Sequence, residues 1–76
     1  MNTHILLVDD DESLRRVTEY NLAKAGFSVK TAANGQQAID SFQRSLPDLV
    51  VTDVELGDMS GLDLLKRFKQ EAPEVP

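Results

Sequence analysis

Asp9, Asp10 and Asp53 stand where a carboxylate can do more than solvate a surface. Asp9 and Asp10 directly follow the apolar run Ile5-Leu6-Leu7-Val8, and Asp53 ends a second run, Leu49-Val50-Val51-Thr52. Each run is short and aliphatic, and the second follows the turn-forming Pro47-Asp48, so both read as buried strands. Acids at the carboxyl ends of neighbouring parallel strands share the rim where open α/β sheets bind ligands. Unit charges about 4 Å apart repel by about 4 kcal/mol at an effective dielectric near 20. Such a cluster requires hydration, partial protonation or a cation. An all-oxygen donor set suits Mg²⁺, which keeps several waters and takes one or two carboxylates from a protein.

The blander account is that acids at strand ends cap helices and hydrate the rim. It suits Asp11, placed to cap a helix that starts at Glu12. It suits Asp53 poorly, because no helix starts immediately after that residue.

The elements that would position these acids follow from apolar spacing. His4 to Val8 is a continuous apolar strand of the kind buried on both faces of a parallel sheet. Helix 1 is predicted over 12–25, with Leu14, Val17, Leu22 and Ala25 inward and Arg15, Arg16, Glu19 and Lys24 outward. Gly26 supplies its left-handed stop. Phe27 to Ala32 alternates as a half-covered edge strand. Asn34 and Gln37 form a capping pattern for helix 2, whose face is Ala38, Ile39 and Phe42, and which Ser45 and Pro47 close. The third strand spans Leu49 to Asp53, and 55–60 form a loop. Ser60 and Asp63 repeat the capping pattern before helix 3, whose apolar face is Leu62, Leu65 and Phe68, with Leu64 beside them, and which stops before Pro73. Tyr20 is expected to be partly in the core, and His4 to be a surface or interface residue rather than a phosphohistidine. The β-α-β-α-β-α alternation implies an α/β fold with a parallel sheet and helices on its faces.

Composition narrows the function. The 76 residues allow one thin domain, with 41% hydrophobic and 28% charged residues, ordinary for a globular chain. No cysteine is present, which excludes disulfides and thiolate metal sites. The net charge of −5 argues against nucleic-acid binding by this segment. No apolar run reaches the roughly 20 residues of a membrane span, and no signal-peptide pattern opens the chain, so a cytoplasmic location is expected.

Ile5-Leu6-Leu7-Val8-Asp9-Asp10-Asp11-Glu12-Ser13-Leu14-Arg15 resembles the opening of response-regulator receiver domains. The run from Leu49 through Asp53 to Gly61 resembles their phosphoacceptor strand and loop, with Gly26-Phe27, Ala33-Asn34-Gly35 and Ala38 matching between. The likeness runs through the whole chain and is to regulators of the nitrogen-regulation type. It implies the (βα)3 portion of a flavodoxin-like fold, sheet order 2-1-3, with strands 4 and 5 absent. Residues 1–76 would then be the N-terminal part of a single receiver domain, with no second domain. The likeness also implies that Asp53 accepts a phosphoryl group from a sensor histidine kinase to control an output domain. Asp9, Asp10, Asp53 and the backbone carbonyl of Glu55 would hold Mg²⁺, Asp10 directly and Asp9 in part through water. Such a module is not an enzyme.

The chain also departs from that pattern. Leu56-Gly57 replaces the usual Met-Pro, which implies a more mobile loop. The hydroxyl ending strand 4, the Lys ending strand 5 and the aromatic switch residue have no counterpart, and Thr52, Lys66 and Lys69 lie on the wrong elements to substitute. Strand 3 becomes an exposed edge, so a homo-oligomer or an exchange of elements between copies is expected. Two other readings stand beside the receiver. One is a structural half-fold that assembles through that edge. The other is a Mg²⁺-dependent phosphohydrolase with Asp53 as nucleophile, where Glu55 loosely imitates a second acid.

Overall fold

The computed structural model describes residues 3–76. Three strands, β1 (His4–Val8), β2 (Ser28–Ala32) and β3 (Leu49–Thr52), alternate with three helices, α1 (Glu12–Lys24), α2 (Gly35–Arg44) and α3 (Gly61–Glu71). The strands form one parallel sheet in the order β2-β1-β3. β1 is central, which is why its run is apolar throughout: Ile5, Leu6, Leu7 and Val8 are all buried. The register sets Leu6 beside Val50 and Leu7 beside Val51. A reciprocal pair fixes it, since Asp48 N–H donates to the His4 carbonyl at 2.7 Å and His4 N–H donates to Asp48 Oδ2 at 2.8 Å.

Side chains alternate across a sheet, so Leu6 and Val8 face one way and Ile5 and Leu7 the other. The first face carries the main core. Leu6 and Val8 pack there with Ala38, Ile39 and Phe42 of α2 and with Leu64 and Phe68 of α3. The Phe42 and Phe68 rings stack with centroids 3.9 Å apart and planes 5° from parallel. That stack decides which face of α3 turns inward. Leu64 and Phe68, four residues apart, are buried, whereas Leu62, expected inside, is 58% exposed. Leu65 is half-buried.

The second face is covered by α1 alone, and here expectation and structure part. None of the helix's residues is fully buried: Leu14 and Val17 are more than half exposed, and only Leu22 of the expected inner face is half-buried. α1 lies along β1 and β2 and barely reaches β3, so the side of the helix carrying Leu14 and Val17 has no second layer to meet. Tyr20 is likewise 65% exposed, lying under the Lys24 ammonium rather than in the core.

The starts of α1 and α2 are capped by the residues the sequence implied. Asp11 Oδ1 accepts Leu14 N–H at 3.0 Å, and Asn34 Oδ1 accepts Gln37 N–H at 2.8 Å. α1 closes through Gly26 at φ +103°, with Gly26 N–H donating to Ala23 and Phe27 N–H donating to Leu22. That closure takes Phe27 out of the strand, which starts at Ser28. Past α3 the chain turns back: Val75 is buried in the core, and the Pro76 carbonyl accepts Val50 N–H on the outer side of β3 at 3.1 Å. The β3 edge is therefore partly engaged near its start.

Candidate metal centre

β1 and β3 end side by side, and their carboxyl ends carry the three acids. Each of Asp9, Asp10 and Asp53 offers an oxygen, and the three oxygens lie within 4.8 Å of one another. Asp9 is 7% exposed, while Asp10 and Asp53 face solvent. A groove lined by Leu7, Leu14, Thr18 and Val51 leads to Asp9 and Asp53.

The backbone around each acid accounts for its placement. Asp9 N–H donates to Ala32 and Asp53 N–H donates to Val8, so both residues are still held in the sheet at its rim. Asp9 Oδ1 accepts Asp11 N–H at 2.9 Å, and Arg15 Nη1 donates to the Asp9 carbonyl at 2.9 Å. Asp53 Oδ1 accepts Val54 N–H at 2.8 Å. Asp9 and Asp53 thus each commit one oxygen to the backbone and keep the other available. The Asp10 carboxylate has no hydrogen-bond donor among the described residues.

Hard oxygen donors from three carboxylates, with solvent access on one side, fit a small divalent cation that retains water. The same set without a cation places three like charges together, and hydration of Asp10 and Asp53 is what makes that tolerable.

The segment after Asp53 is organised as a tight hairpin. Leu56 is 1% exposed, its N–H donates to the Met59 carbonyl at 3.0 Å, and Glu55 and Ser60 form an antiparallel bridge. Gly57 takes the turn at φ +78°. The hairpin folds back so tightly that a Cβ on Gly61 would overlap the Asp53 carbonyl oxygen, so only glycine fits there. Gly61 N–H also donates to the Val54 carbonyl. Ser60 caps α3 through Leu62 N–H at 3.1 Å, not through the Asp63 position of the expected box.

Among the acids named from the sequence, the structure brings Asp9, Asp10 and Asp53 together and leaves Asp11 as the helix cap. Glu55 lies on the hairpin that returns past Asp53, with its side chain exposed. Lys66 and Lys69 are on α3, and Thr52 Oγ1 donates to the Asp53 carbonyl at 3.0 Å, so none stands in for a phosphate-binding group. Two contributors escape the sequence reading: Arg15, which helical spacing marks only as an outward residue, and Asp58, which receives two N–H groups from α2.

The family model for the response regulator receiver domain matches residues 5–76. The chain is 39% identical over 76 residues to the alkaline phosphatase synthesis transcriptional regulatory protein PhoP of Bacillus subtilis, covering all of this chain and 32% of that protein. It is 39% identical over 72 residues to the DNA-binding transcriptional regulator NtrC of Escherichia coli K12, covering 95% of this chain and 15% of that protein. The chain thus spans a third or less of these relatives. Among solved structures, the chemotaxis response regulator CheY4 of Vibrio cholerae superposes with a TM-score of 0.94 at 29% identity, over 100% of this chain and 65% of that one. NtrX of Brucella abortus superposes with a TM-score of 0.93 at 32% identity, over 100% of this chain and 18% of that one. The parallel 2-1-3 sheet with acids at the ends of its two paired strands, and a match along 5–76, identify this chain as a member of the response regulator receiver family.

Proposed function

We propose that Asp53 is the phosphoacceptor of a two-component phosphorelay, receiving a phosphoryl group from a phosphohistidine of a sensor kinase. Residues 1–76 are then the N-terminal part of one receiver domain, which acts in the cytoplasm and controls an output domain. The observation that carries this reading is the convergence of Asp9, Asp10 and Asp53 within 4.8 Å at the ends of β1 and β3.

In this reading Asp9, Asp10, Asp53 and the Glu55 carbonyl would hold Mg²⁺, with Asp10 the direct carboxylate ligand and Asp9 acting in part through water. When bound, the ion supplies charge neutralisation between the acids and the incoming phosphoryl oxygens. The chain's own part is alignment. Val54 N–H holds Asp53 Oδ1 at 2.8 Å, which fixes the carboxylate plane and leaves the second oxygen to attack phosphorus. The new bond joins that oxygen to phosphorus as the phosphorus–nitrogen bond to the kinase histidine breaks, and the imidazole nitrogen takes the bonding pair. No side chain here needs to move a proton in that step.

The test is phosphorylation of the intact protein by a small acyl phosphate in Mg²⁺, read by intact mass. Incorporation of one phosphoryl group that is abolished by Asp53→Asn or by chelation supports the reading. Incorporation that survives Asp53→Asn sinks it.

A second reading, assembly through the outer edge of β3, is favoured by that strand ending the sheet with no strand beside it among the described residues. A monomer mass from light scattering for the folded 76-residue chain would exclude it. No helix among the described residues is long and apolar enough to cross a membrane.

A further inference from the structure

Asp58 lies on the hairpin after the phosphoacceptor, yet its carboxylate is spent on a different element. Oδ1 accepts Gly35 N–H at 2.9 Å and Oδ2 accepts Gln36 N–H at 3.1 Å. These are the first two N–H groups of α2, which no residue inside the helix can satisfy. The local cap, Asn34, takes only Gln37 N–H, and Gln37 Oε1 reaches back to Ala33 N–H at 2.9 Å. The start of α2 is therefore capped by two residues, one local and one 22–23 positions downstream.

Met59 adds a second fastening. Its side chain lies across Gly35 so closely that a Cβ there would overlap the sulfur and its neighbouring carbons. Gly35 is buried under it. One end of the hairpin is thus bound to α2 by a charge-assisted pair of hydrogen bonds and an apolar contact. The same hairpin carries Glu55, and its turn residue Gly57 is placed where a Cβ would meet Asp10 Oδ2 at 3.8 Å. The hairpin therefore touches α2 at one end and approaches Asp10 at its turn.

We infer that Asp58 is a positioning residue for the metal centre, holding the hairpin against α2 so that the Glu55 carbonyl and Asp53 keep a fixed distance from Asp9 and Asp10. This rests on the Mg²⁺ site of the proposed function, and it adds that the site is set from α2, an element that contributes no ligand. Backbone N–H donation, chiefly from Gly35, holds the Asp58 carboxyl below the ordinary carboxylate range, so the clamp is charged near neutral pH.

The test titrates Mg²⁺ into the intact wild-type protein and its Asp58→Ala and Asp58→Asn variants, following backbone amides by NMR. Before metal is added, the Gly35 and Gln36 amide signals should move in both variants, which reports the loss or weakening of the clamp directly. Asp58→Ala should weaken Mg²⁺ binding by up to roughly tenfold, since Asp58 bonds no ligand itself and removing a direct outer partner of a ligand costs about 10–100-fold. Asp58→Asn keeps one acceptor oxygen and should fall between, and it decides the matter where Asp58→Ala fails to fold. Phosphorylation by an acyl phosphate should slow at subsaturating Mg²⁺ and recover at saturating Mg²⁺, measured at a temperature where melts in chelator show the variant fully folded, because Mg²⁺ would also rescue a variant that was merely unfolded. Amide signals that move while Mg²⁺ affinity stays at the wild-type value would overturn the positioning role and leave the metal site standing. A wild-type protein that does not bind Mg²⁺ would overturn both.

Discussion

Asp53→Asn should stabilise the protein without Mg²⁺ and blunt its response to Mg²⁺. The side chains are nearly isosteric, and an amide oxygen can still accept the Val54 N–H that Asp53 Oδ1 takes at 2.8 Å. What disappears is one negative charge of three whose oxygens lie within 4.8 Å. At an effective dielectric near 20, each like-charge pair at that separation is worth about 3 kcal/mol. Asp10 and Asp53 face water and are screened by it and by salt, so the two pairs removed amount together to about 1–2 kcal/mol. For a domain of this size each 1 kcal/mol shifts the melting midpoint by about 4–8 °C, so the variant should melt roughly 4–16 °C higher in chelator. Mg²⁺ at ten times its dissociation constant should stabilise the wild type by about 1.4 kcal/mol, and the variant by much less. Circular-dichroism melts at fixed ionic strength, with and without Mg²⁺, measure both effects. A variant that melts lower than wild type in chelator, or gains as much from Mg²⁺, would refute the claim that the three acids share one electrostatic site.

The hairpin leads to two further outcomes. Gly61→Ala places a methyl group against the Asp53 carbonyl, so the backbone must shift at a cost of about 1–3 kcal/mol; urea unfolding should show that loss, and Mg²⁺ titration a weaker site. Acid should release the Asp58 clamp: its folded pKa lies below the unfolded value, so its contribution is present above the unfolded value and is lost as pH falls through the folded one, below about pH 4. Asp58→Asn should therefore lose less stability than wild type over that range, in urea midpoints measured at successive pH values.

Much of the site is legible because it is written locally. An apolar run that breaks into acid marks a strand and its rim at once, and that pattern alone places both acidic ends. Caps read equally well, since Asp11 and Asn34 act on N–H groups three residues away. The order of the strands is not local, and it came from the family resemblance. The errors share a cause. Whether Leu62 or Leu64 faces inward depends on the stacking of Phe68 on Phe42, a contact between helices that the spacing of α3 cannot encode. The exposure of Leu14, Val17 and Tyr20 depends on what covers α1, which its own periodicity says nothing about. Asp58 was invisible for the same reason: its partners are amides of another helix, and backbone amides have no sequence signature. The one usable hint was Gly35, a glycine opening a helix where a side chain would ordinarily be tolerated.

The two halves of the acidic cluster and the hairpin beside it are thus supported unequally. Asp9 and Asp10 continue the central strand, and their turn is tied down nearby by the Asp11 N–H and the Arg15 guanidinium. Asp53 and Glu55 continue an edge strand, and the hairpin beyond them is fixed from the α2 side through Leu56, Asp58 and Met59. A change at the acids can therefore reach the rest of the molecule by two routes of different stiffness. Toward α1 it meets a helix with no fully buried residue, resting on one face of the sheet. Toward α2 and α3 it meets the stacked Phe42 and Phe68 and the main core. Close-packed cores shift as units rather than deform locally. A charge added at Asp53 would be felt first at Val54 N–H, which bonds Asp53 Oδ1 directly, and next where the hairpin meets α2, so the Gly35 and Gln36 amides report how far the change travels.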